Sequence, residues 1–281
     1  MRRLPDKIPT STLFHYTSQQ GLMGIARNQV LWASKAHYLS DESEIRYGLD
    51  LLEGEIRQLK NLKQKDKNVI TSLQALLQQE RDMNIFVASF SEDGDLLSQW
   101  RAYCPDMGGY SIGFTYDHLK PHLQRQNLHL KQCIYDEADQ KQKVKKFLEL
   151  CTNHACLEEL KWNMADLARE FLYIGMRLKD PSFKEEREWR IFTDTRIEYT
   201  HTQVDYREGK STITPFFKIE LASPAKPFAF ETIYVGPTPH PDLAVNAVRG
   251  LILKYVPCED VELLLKYFKN VQKSTIPYRA W

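Results

Sequence analysis

The chain has 281 residues, of which 42% are hydrophobic and 27% are charged, so it carries enough apolar material for a sizeable folded core. Its 38 basic and 37 acidic residues nearly cancel, which excludes attraction of the whole protein to nucleic acid or membrane through net charge. No apolar run is long enough to span a membrane, the first residues lack an apolar signal stretch, and the five cysteines form no Cys-x-x-Cys pair. We therefore expect a cytoplasmic protein with reduced thiols, no bound metal and no membrane contact.

Hydrophobic periodicity predicts short strands separated by helices along the whole chain. We expect strands at residues 13–17, 30–34, 84–91, 110–115, 132–135, 189–194, 216–221 and 233–236. We expect helices at residues 19–28, 40–56, 69–81, 138–178, 243–255 and 261–271. The charged stretch 60–68 is expected to form a loop or the frayed tip of a helical hairpin. Strands outnumber simple βα repeats, so the pattern favours an α+β fold with mixed, mostly antiparallel sheets over a doubly wound sheet.

The domain organisation follows from the same pattern. No Pro/Gly/Ser-rich linker and no internal repeat divides the sequence. The long helical stretch interrupts the strands instead of following them. We predict a single domain over residues 1–281 with a helical insertion at about 138–180.

The stretch most informative about function is residues 184–192, Lys-Glu-Glu-Arg-Glu-Trp-Arg-Ile-Phe. If it is a strand, alternation places Glu186, Glu188 and Arg190 on one face. Two acids and an arginine are costly in a core, but they suit a wall that holds a polar ligand. The alternative is a solvated sheet face with a ladder of Glu–Arg ion pairs.

His15 is a second candidate, on the first predicted strand beside Tyr16 and Thr17. Ser18 follows as a plausible N-cap of the next helix. A strand that leads into a helix N-terminus offers backbone N–H groups and a favourable dipole to an anionic ligand. The alternative is a histidine whose hydrogen bonds serve only the fold.

A third cluster lies around a turn at Gly94. Ser89 and Ser91 share one face of the strand before the turn, and Trp100 and Tyr103 follow it at a spacing of three residues. Aromatic and hydroxyl groups in this arrangement suit stacking against a flat ring such as adenine or nicotinamide. The alternative is that the rings of Trp100 and Tyr103 pack into the core.

Several familiar motifs are absent from the sequence. It has no nucleophile elbow, no phosphate-binding Gly-rich loop, no dinucleotide-binding fingerprint and no His-Glu-x-x-His helix. These absences argue against the commoner hydrolases, nucleoside triphosphatases and dehydrogenases. The remaining possibility is a site assembled from single residues on separate strands.

Several short blocks occur in a fixed order between about residues 13 and 279. They are Phe14-His15-Tyr16-Thr17, Leu31-Trp32-Ala33-Ser34, Ser40-Asp41-x-x-Glu44, Ser89-Phe90-Ser91, Gln99-Trp100-x-x-Tyr103, Glu186-x-Glu188-Trp189-Arg190 and Ser274-x-Ile276-Pro277-Tyr278-Arg279. Together they resemble a bacterial family catalogued only as domain of unknown function 2971. That family looks like a remote relative of the ADP-ribosyltransferase fold, a split core of mostly antiparallel sheets.

The resemblance implies roles for individual residues. The transferase pattern has a first-strand His or Arg that binds the ribose of NAD, which His15 matches. It has a late-strand Glu, which Glu188 matches, with Glu186 two residues earlier. For the Ser or Tyr near the nicotinamide, three residues compete: Ser34, Tyr38 and Ser40. As contacts to NAD we predict His15, Tyr16, Thr17, Ser34, Tyr38, Ser40, Ser89, Ser91, Trp100, Tyr103 and Arg190.

The chemistry of NAD cleavage suits these residue types. Breaking the nicotinamide–ribose bond passes through an oxocarbenium-like state, so a carboxylate at the ribose stabilises charge that develops in the transition state. We assign that role to Glu188. Glu186 would orient or deprotonate the acceptor.

The sequence thus predicts an NAD-dependent ADP-ribosyltransferase, as a toxin or defence effector. Its acceptor would be a protein or a nucleic acid, and its partner an antitoxin or another defence component. One alternative is a non-catalytic nucleotide-binding or interaction module on the same fold. Another is nucleic-acid processing through a basic groove, for which the candidates are Arg101, Arg187, Arg190 and Arg279. The transferase function requires three residues to meet in one cleft: His15, Glu188 and one of Ser34, Tyr38 and Ser40.

Overall fold

The computed structural model describes residues 8–38, 43–60, 62–77, 84–104, 108–193, 197–209, 211–256 and 260–277. Ten strands in these ranges form one sheet. They are β1 (Leu13–Thr17), β2 (Val30–Lys35), β3 (Phe86–Ser91), β4 (Tyr110–Phe114), β5 (His129–Gln132), β6 (Glu188–Phe192), β7 (Val204–Glu208), β8 (Ile213–Glu220), β9 (Thr232–Val235) and β10 (Val271–Lys273). Within the described residues every pairing of these strands is antiparallel except that of β9 with β10.

The helices lie between the strands along the chain, singly or in groups of two or three. They are α1 (Gln19–Asn28), α2 (Ser43–Gln58), α3 (Gln64–Leu77), α4 (Leu97–Tyr103), α5 (Tyr116–Arg125), α6 (Glu137–Thr152), α7 (His154–Leu160), α8 (Met164–Gly175), α9 (Pro241–Tyr255) and α10 (Val261–Lys269). The predicted α+β class with mostly antiparallel pairing is confirmed. Among the helices of the described ranges, none has the length and apolar character needed to cross a membrane.

The charged stretch predicted as a loop or a frayed helical tip is partly helical. Helix α3 already begins at Gln64, and Gln64 Nε2 donates to Asn68 Oδ1 over 3.0 Å one turn later. The polar first turn faces solvent, while Ile70, Leu73 and Leu77 are buried further along. Burial of that apolar stripe stabilises a helix whose start the composition alone does not reveal.

Strand β3 is the point at which the sheet divides. The sheet runs β10-β9-β4-β1-β3-β2-β8-β7, with β6 and then β5 attached to the other edge of β3. Since β6 occupies one edge of β3 from Val87 to Ser91, β1 and β2 must share the opposite edge. There β1 pairs with β3 at Ser91, and β2 pairs at Phe86 and Val87. The two strands therefore diverge and leave the middle of this edge of β3 without a partner strand among the described residues.

The sheet has a front face and a back face, defined by the register. Paired residues point to the same side, so Phe14, Ser91 and Glu188 lie on the front. Their neighbours Phe90 and Trp189 lie on the back. The main core covers the back face with α1, α5, α9 and α10. A second core under α2, α3, α6 and α8 covers one part of the front, and α4 covers another.

The helices α6, α7 and α8 lie between β5 and β6, two strands that pair with each other. The chain therefore leaves the sheet after β5 and re-enters it in the neighbouring strand, β6. Ile134 N donates to Arg177 O over 2.6 Å, and Lys179 N donates to Ile134 O over 3.2 Å. These bonds close the base of the helical segment.

The predicted strand at residues 184–192 is wrong in its first half. A 3₁₀ helix spans Pro181–Glu186, and Arg187 adopts a left-handed conformation with φ of 43° before β6 begins at Glu188. Pro181 suits the start of a helical turn because its φ is fixed and its N–H is missing. Glu186 is therefore not on the strand with Glu188.

Candidate functional site

The front face carries a charge cluster of four residues: the buried Lys179, Glu188 and Arg190, and the partly exposed Glu186. Arg190 Nε lies 2.8 Å from Glu188 Oε1, and Arg190 Nη2 lies 2.9 Å from Glu188 Oε2. Lys179 Nζ lies 2.7 Å from Glu188 Oε2 and 2.6 Å from Glu186 Oε2. The lysine therefore joins the two carboxylates that the strand prediction had placed side by side.

Local structure brings the four side chains together. Glu188 and Arg190 occupy alternate positions of β6, so both point to the front. Lys179 follows the hydrogen-bonded base of the helical segment, and Glu186 ends the 3₁₀ helix that leads into β6. Arg190 Nη1 also donates to Met176 O over 3.0 Å, which fixes the guanidinium.

Glu188 is ionised in this setting. Its exposure is 4%, and such burial by itself raises the pKa of a carboxyl group. The charges and hydrogen bonds of Arg190 and Lys179 outweigh burial and lower the pKa of Glu188 to about 2. Among the described residues, four bonds reach the side chain of Glu188, including the long contact of 3.6 Å from Cys133 Sγ. Oε1 accepts only from Arg190 among these, so it retains capacity for one more donor.

The two serines of β3 border the cluster. Ser91 pairs with Glu188 and Ser89 pairs with Arg190 on the front face. Ser91 Oγ donates to Glu186 O over 2.8 Å and so holds the end of the 3₁₀ helix. Ser89 is only partly buried. The structure thus places both serines beside Glu188, as the sequence predicted for one strand face.

Two exposed aromatic rings flank the cluster. Tyr103 ends α4 and is 47% exposed, and Phe183 in the 3₁₀ helix is 38% exposed. Lys179 Nζ lies 5.2 Å from the centroid of Phe183, which is a cation–π distance. Although Tyr103 as a whole is half exposed, burial around its hydroxyl and the negative charge of Glu188 raise the pKa of Tyr103 to about 12. Its hydroxyl therefore lies within electrostatic reach of the cluster.

Trp100 and Tyr16 form a separate small core under α4. Trp100 is 1% exposed, and its ring meets that of Tyr16 edge-on at 4.6 Å between centroids. Tyr16 Oη donates to Asp93 O over 2.9 Å. For Trp100 the structure favours the core-packing alternative, because a fully buried ring offers no face to a ligand.

Asp95 ties this small core to the C-terminal block. Trp100 Nε1 donates to Asp95 Oδ1 over 2.8 Å. Ser274 Oγ and the backbone and side chain of Thr275 also donate to Asp95, over 2.5 to 2.9 Å. The Gln99-Trp100 block and the Ser274-x-Ile276 block, far apart in sequence, therefore meet around one carboxylate.

His15 lies on the back face, away from the cluster. Its Nδ1 donates to Ser89 O over 3.0 Å, and its ring lies 5.5 Å from that of Phe90. It thereby occupies the unpaired edge of β3 where β1 and β2 diverge. Burial lowers the pKa of His15, so the ring is neutral. His15 is also separated from Glu188 by two strand spacings, about 10 Å. Thr17 shares its face.

Ser34, one of the three candidates for the Ser or Tyr near the nicotinamide, is not beside Glu188 either. Ser34 pairs with Val87, opposite Phe192, which is four residues or about 13 Å along β6 from Glu188. Its hydroxyl accepts a bond of 3.0 Å from Arg207 Nη2. Tyr38 is exposed at the end of the 3₁₀ turn Ala36–Tyr38, and Ser40 lies outside the described residues. His15, Ser34 and Glu188 do not converge on one cleft.

The four arginines proposed for a basic groove have different environments. Arg190 is buried in the charge cluster, and Arg187 Nη2 is paired with Asp93 Oδ2 at 2.8 Å. Arg101 is exposed on α4, and Arg279 lies outside the described residues. Two of the four charges are thus already matched by carboxylates.

Sequence reasoning missed Lys179 and Phe183. Lys179 follows the end of a predicted helix, where lysines are common on the surface, and nothing local marks it as buried. Phe183 lies after Pro181, between the helix predicted at 138–178 and the strand predicted at 189–194. The only available signal was an aromatic residue flanked by charges.

The comparisons with known proteins support the family resemblance. A family model described as protein of unknown function (DUF2971) matches residues 99–191, a third of the chain. The matched segment runs from α4 to β6 and contains Tyr103, Phe183 and the whole charge cluster. No curated protein and no solved structure matches the chain.

Proposed function

We propose that this chain, a member of the family of proteins of unknown function DUF2971, is a nucleotide-binding module, with NAD as the first ligand to test. The site is the front-face surface over the charge cluster. The observation that carries the proposal is the pair of exposed rings, Tyr103 and Phe183, beside the partly exposed Glu186.

The rings suit a nucleobase because every base presents a flat π-face. Stacking of a base on an aromatic side chain contributes about 1–3 kcal/mol. Lys179 lies against Phe183 and is itself held by two carboxylates, so that ring is fixed from behind. A preorganised ring loses little entropy when the ligand arrives.

The charges below the rings favour a ligand with hydroxyl groups. Lys179 and Arg190 balance Glu186 and Glu188, so the cluster contributes no net charge. Glu186 is the more exposed of the two carboxylates. A carboxylate at the rim accepts hydrogen bonds from vicinal ribose hydroxyls, a role that Ser89 can share as donor or acceptor.

Calorimetry with NAD tests the proposal. Tyr103→Ala and Phe183→Ala should each weaken NAD binding by about tenfold or more, the stacking contribution converted to affinity. Tyr206→Ala is the matched control, since Tyr206 is an exposed tyrosine on β7, away from the cluster. Equal affinity in all three variants, or no binding of NAD to the folded chain, would overturn the proposal.

A second candidate function is the NAD-using ADP-ribosyltransferase. The observation that favours it is that Glu188 is ionised directly beneath the same surface. In this function Glu188 stabilises positive charge developing on the ribose, and Glu186 orients or deprotonates the acceptor. It ranks second because His15 and Ser34 lie elsewhere, so neither contributes to NAD binding at Glu188.

Nicotinamide release separates the two functions. For a transferase, Glu188→Gln lowers turnover by about 10²–10³ in the folded fraction while NAD affinity changes little. A module binds NAD and releases no nicotinamide in either form. With the transferase we also propose a protein or nucleic-acid acceptor, a cytoplasmic location, and a role as a toxin or defence effector with an antitoxin or defence-system partner.

A further inference from the structure

Strand β7 (Val204–Glu208) lies at one end of the sheet, with β8 on its inner side. Among the strands of the described ranges, none pairs with its outer side. Such an edge presents backbone N–H and C=O groups that a further strand can bond. It lies four strand spacings, about 19 Å, from β6 and its charge cluster.

The bonds between β7 and β8 show which backbone groups of β7 point outward. Just before β7, Lys218 N donates to Gln203 O over 2.8 Å, and just after it, Gly209 N donates to Thr212 O over 3.1 Å. In an antiparallel pair, residues that exchange bonds alternate with residues that do not. The odd-numbered positions of β7 are therefore the ones bonded to β8.

The even-numbered residues Val204, Tyr206 and Glu208 direct their N–H and C=O groups to the open edge. Pro215, which has no N–H, lies opposite Tyr206, in agreement with this alternation. The side chains of Tyr206 and Glu208 are exposed. A strand that approaches this edge therefore meets accessible backbone at these two positions.

Two of the outward N–H groups already have a local acceptor. Val204 N donates to His201 O over 2.9 Å, within the turn that leads into β7. Tyr206 N donates to Asp205 Oδ1 over 2.9 Å. The Tyr206 bond is made to a flexible side chain, so it can be exchanged for a bond to another strand. The N–H of Glu208 and the outward carbonyl groups have no bond within the described residues.

The sequence of β7 is complementary to itself when two copies pair antiparallel about Tyr206. In this register Asp205 lies opposite Arg207 of the second copy, and Arg207 lies opposite Asp205. The two tyrosines face each other, and Val204 lies opposite Glu208. Opposite charges and aromatic rings at facing positions stabilise a strand pair, whereas like charges destabilise it. The charges that would deter most other strands from this edge thus favour a second β7.

Arg207 is available for such a pair. Its Nη2 donates to Ser34 Oγ over 3.0 Å, and within the described residues no carboxylate pairs with the guanidinium. Asp205 Oδ2 lies 2.6 Å from Lys218 Nζ, with both side chains partly exposed. When Tyr206 N bonds to the second copy, Asp205 Oδ1 is released and can accept from the facing arginine.

We propose that two copies of this chain associate through their β7 edges in a symmetric dimer, so that the two sheets join into one. The contact is self-complementary, as a twofold interface requires. The outward groups of the two strands supply about four backbone hydrogen bonds, and the two Asp205–Arg207 pairs flank them. Five residues on each side form a small interface, so the dimer dissociates on dilution. The proposal does not depend on NAD binding, because it shares no residue with the charge cluster.

Analytical ultracentrifugation of the full chain tests the dimer. We expect mostly dimer at about 300 µM and monomer at about 1 µM. Asp205→Arg and Arg207→Asp each set like charges opposite one another, so each should weaken the dimer by about tenfold or more. An equal mixture of the two variants has opposite charges at both facing pairs and should associate again. A monomeric parent chain at about 300 µM, or a mixture no more associated than each variant alone, would overturn the proposal.

A disulfide tests the register. In the proposed pairing the two Cα atoms at position 206 lie about 5.5 Å apart, within the range of a disulfide, whereas those at position 208 lie more than about 12 Å apart. Tyr206→Cys should therefore cross-link on mild oxidation, and the matched control Glu208→Cys, also exposed on β7, should not. Circular dichroism checks that both variants fold. No cross-link in Tyr206→Cys, or equal cross-linking of the two variants, would reject the interface. Tyr103→Ala should leave the dimer unaltered, so failure here is distinguishable from failure of the NAD proposal.

Discussion

Lys179 Nζ lies 2.7 Å from Glu188 Oε2, and the side chains of both residues are buried. The pair joins the base of the helical segment to strand β6. A buried ion pair adds little net stability over a well-packed apolar pair, because desolvation costs nearly what attraction returns. Removing one partner is different, since it leaves the other charge buried and unmatched.

The first prediction concerns the charge of Glu188 at neutral pH. Glu188→Gln keeps the shape but leaves Lys179 and Arg190 without a buried counter-charge. We expect the free energy of unfolding in urea to fall by about 3–5 kcal/mol. Glu185→Gln, the same change at an exposed position of the 3₁₀ helix, should alter it by less than about 0.5 kcal/mol. Equal stability of the two variants would show that the cluster is not desolvated.

The second prediction concerns acid stability. The pKa of Glu188 is about 2 in the folded chain and about 4.5 ordinarily, so the unfolded chain takes up a proton first as the pH falls. The stability from this group is therefore complete above about pH 4.5 and is lost towards pH 2. Urea unfolding between pH 5 and pH 3 should show a smaller decline in Glu188→Gln than in the parent chain. Parallel declines would contradict the lowered pKa.

The third prediction concerns a buried histidine on α5. Burial, with smaller effects of His122 and Lys226, lowers the pKa of His118 to about 4. The unfolded chain then binds the proton near pH 6.5, so stability falls as the pH drops from 6.5 towards 4. His118→Phe should flatten that part of the stability profile, because His118 packs against Phe114 and accepts an aromatic substitute. His240→Phe at an exposed site serves as the control.

The fourth prediction concerns His15. The resemblance implies that His15 binds the ribose of NAD, but its ring lies on the back face and donates to Ser89 O. We expect His15→Ala to lower the free energy of unfolding by about 1–3 kcal/mol, because a partly buried carbonyl loses its donor. NAD affinity, measured by calorimetry, should not change. A loss of NAD affinity at unchanged stability would restore the transferase assignment of His15.

The fifth prediction concerns Asp95. Asp95→Asn removes the charge that strengthens the bonds from Ser274 and Thr275. Amide exchange should then accelerate in residues 271–277, while the backbone of β6 keeps its protection. Uniform acceleration in both would mean that Asp95 supports the whole fold and not the C-terminal segment.

The sequence predicts best where the cause is local. The alternation of side chains along a strand places Ser89 and Ser91 on one face of β3, and it places Glu188 and Arg190 on one face of β6. Both arrangements are found in the structure. Ser18 caps α1 as its residue type suggests, accepting a bond from Gly21 N. These features depend on neighbours within a few residues.

Features set by distant pairing could not be predicted. Which side of the sheet His15 faces depends on its register with Ile112, about a hundred residues away. Glu186 meets Glu188 through Lys179 and not through a shared strand, because Pro181 and Arg187 give the preceding segment a helical turn. Lys179 carries no sign of burial in its own sequence surroundings.

The helical segment between β5 and β6 starts and ends at one closed base, next to Lys179. The side chain of Lys179 extends from this base to Glu186 and Glu188, so the position of the base also sets the position of their counter-charge. A substitution that displaces the base from β5 therefore separates Lys179 from both carboxylates, even if it lies far from the charge cluster along the chain.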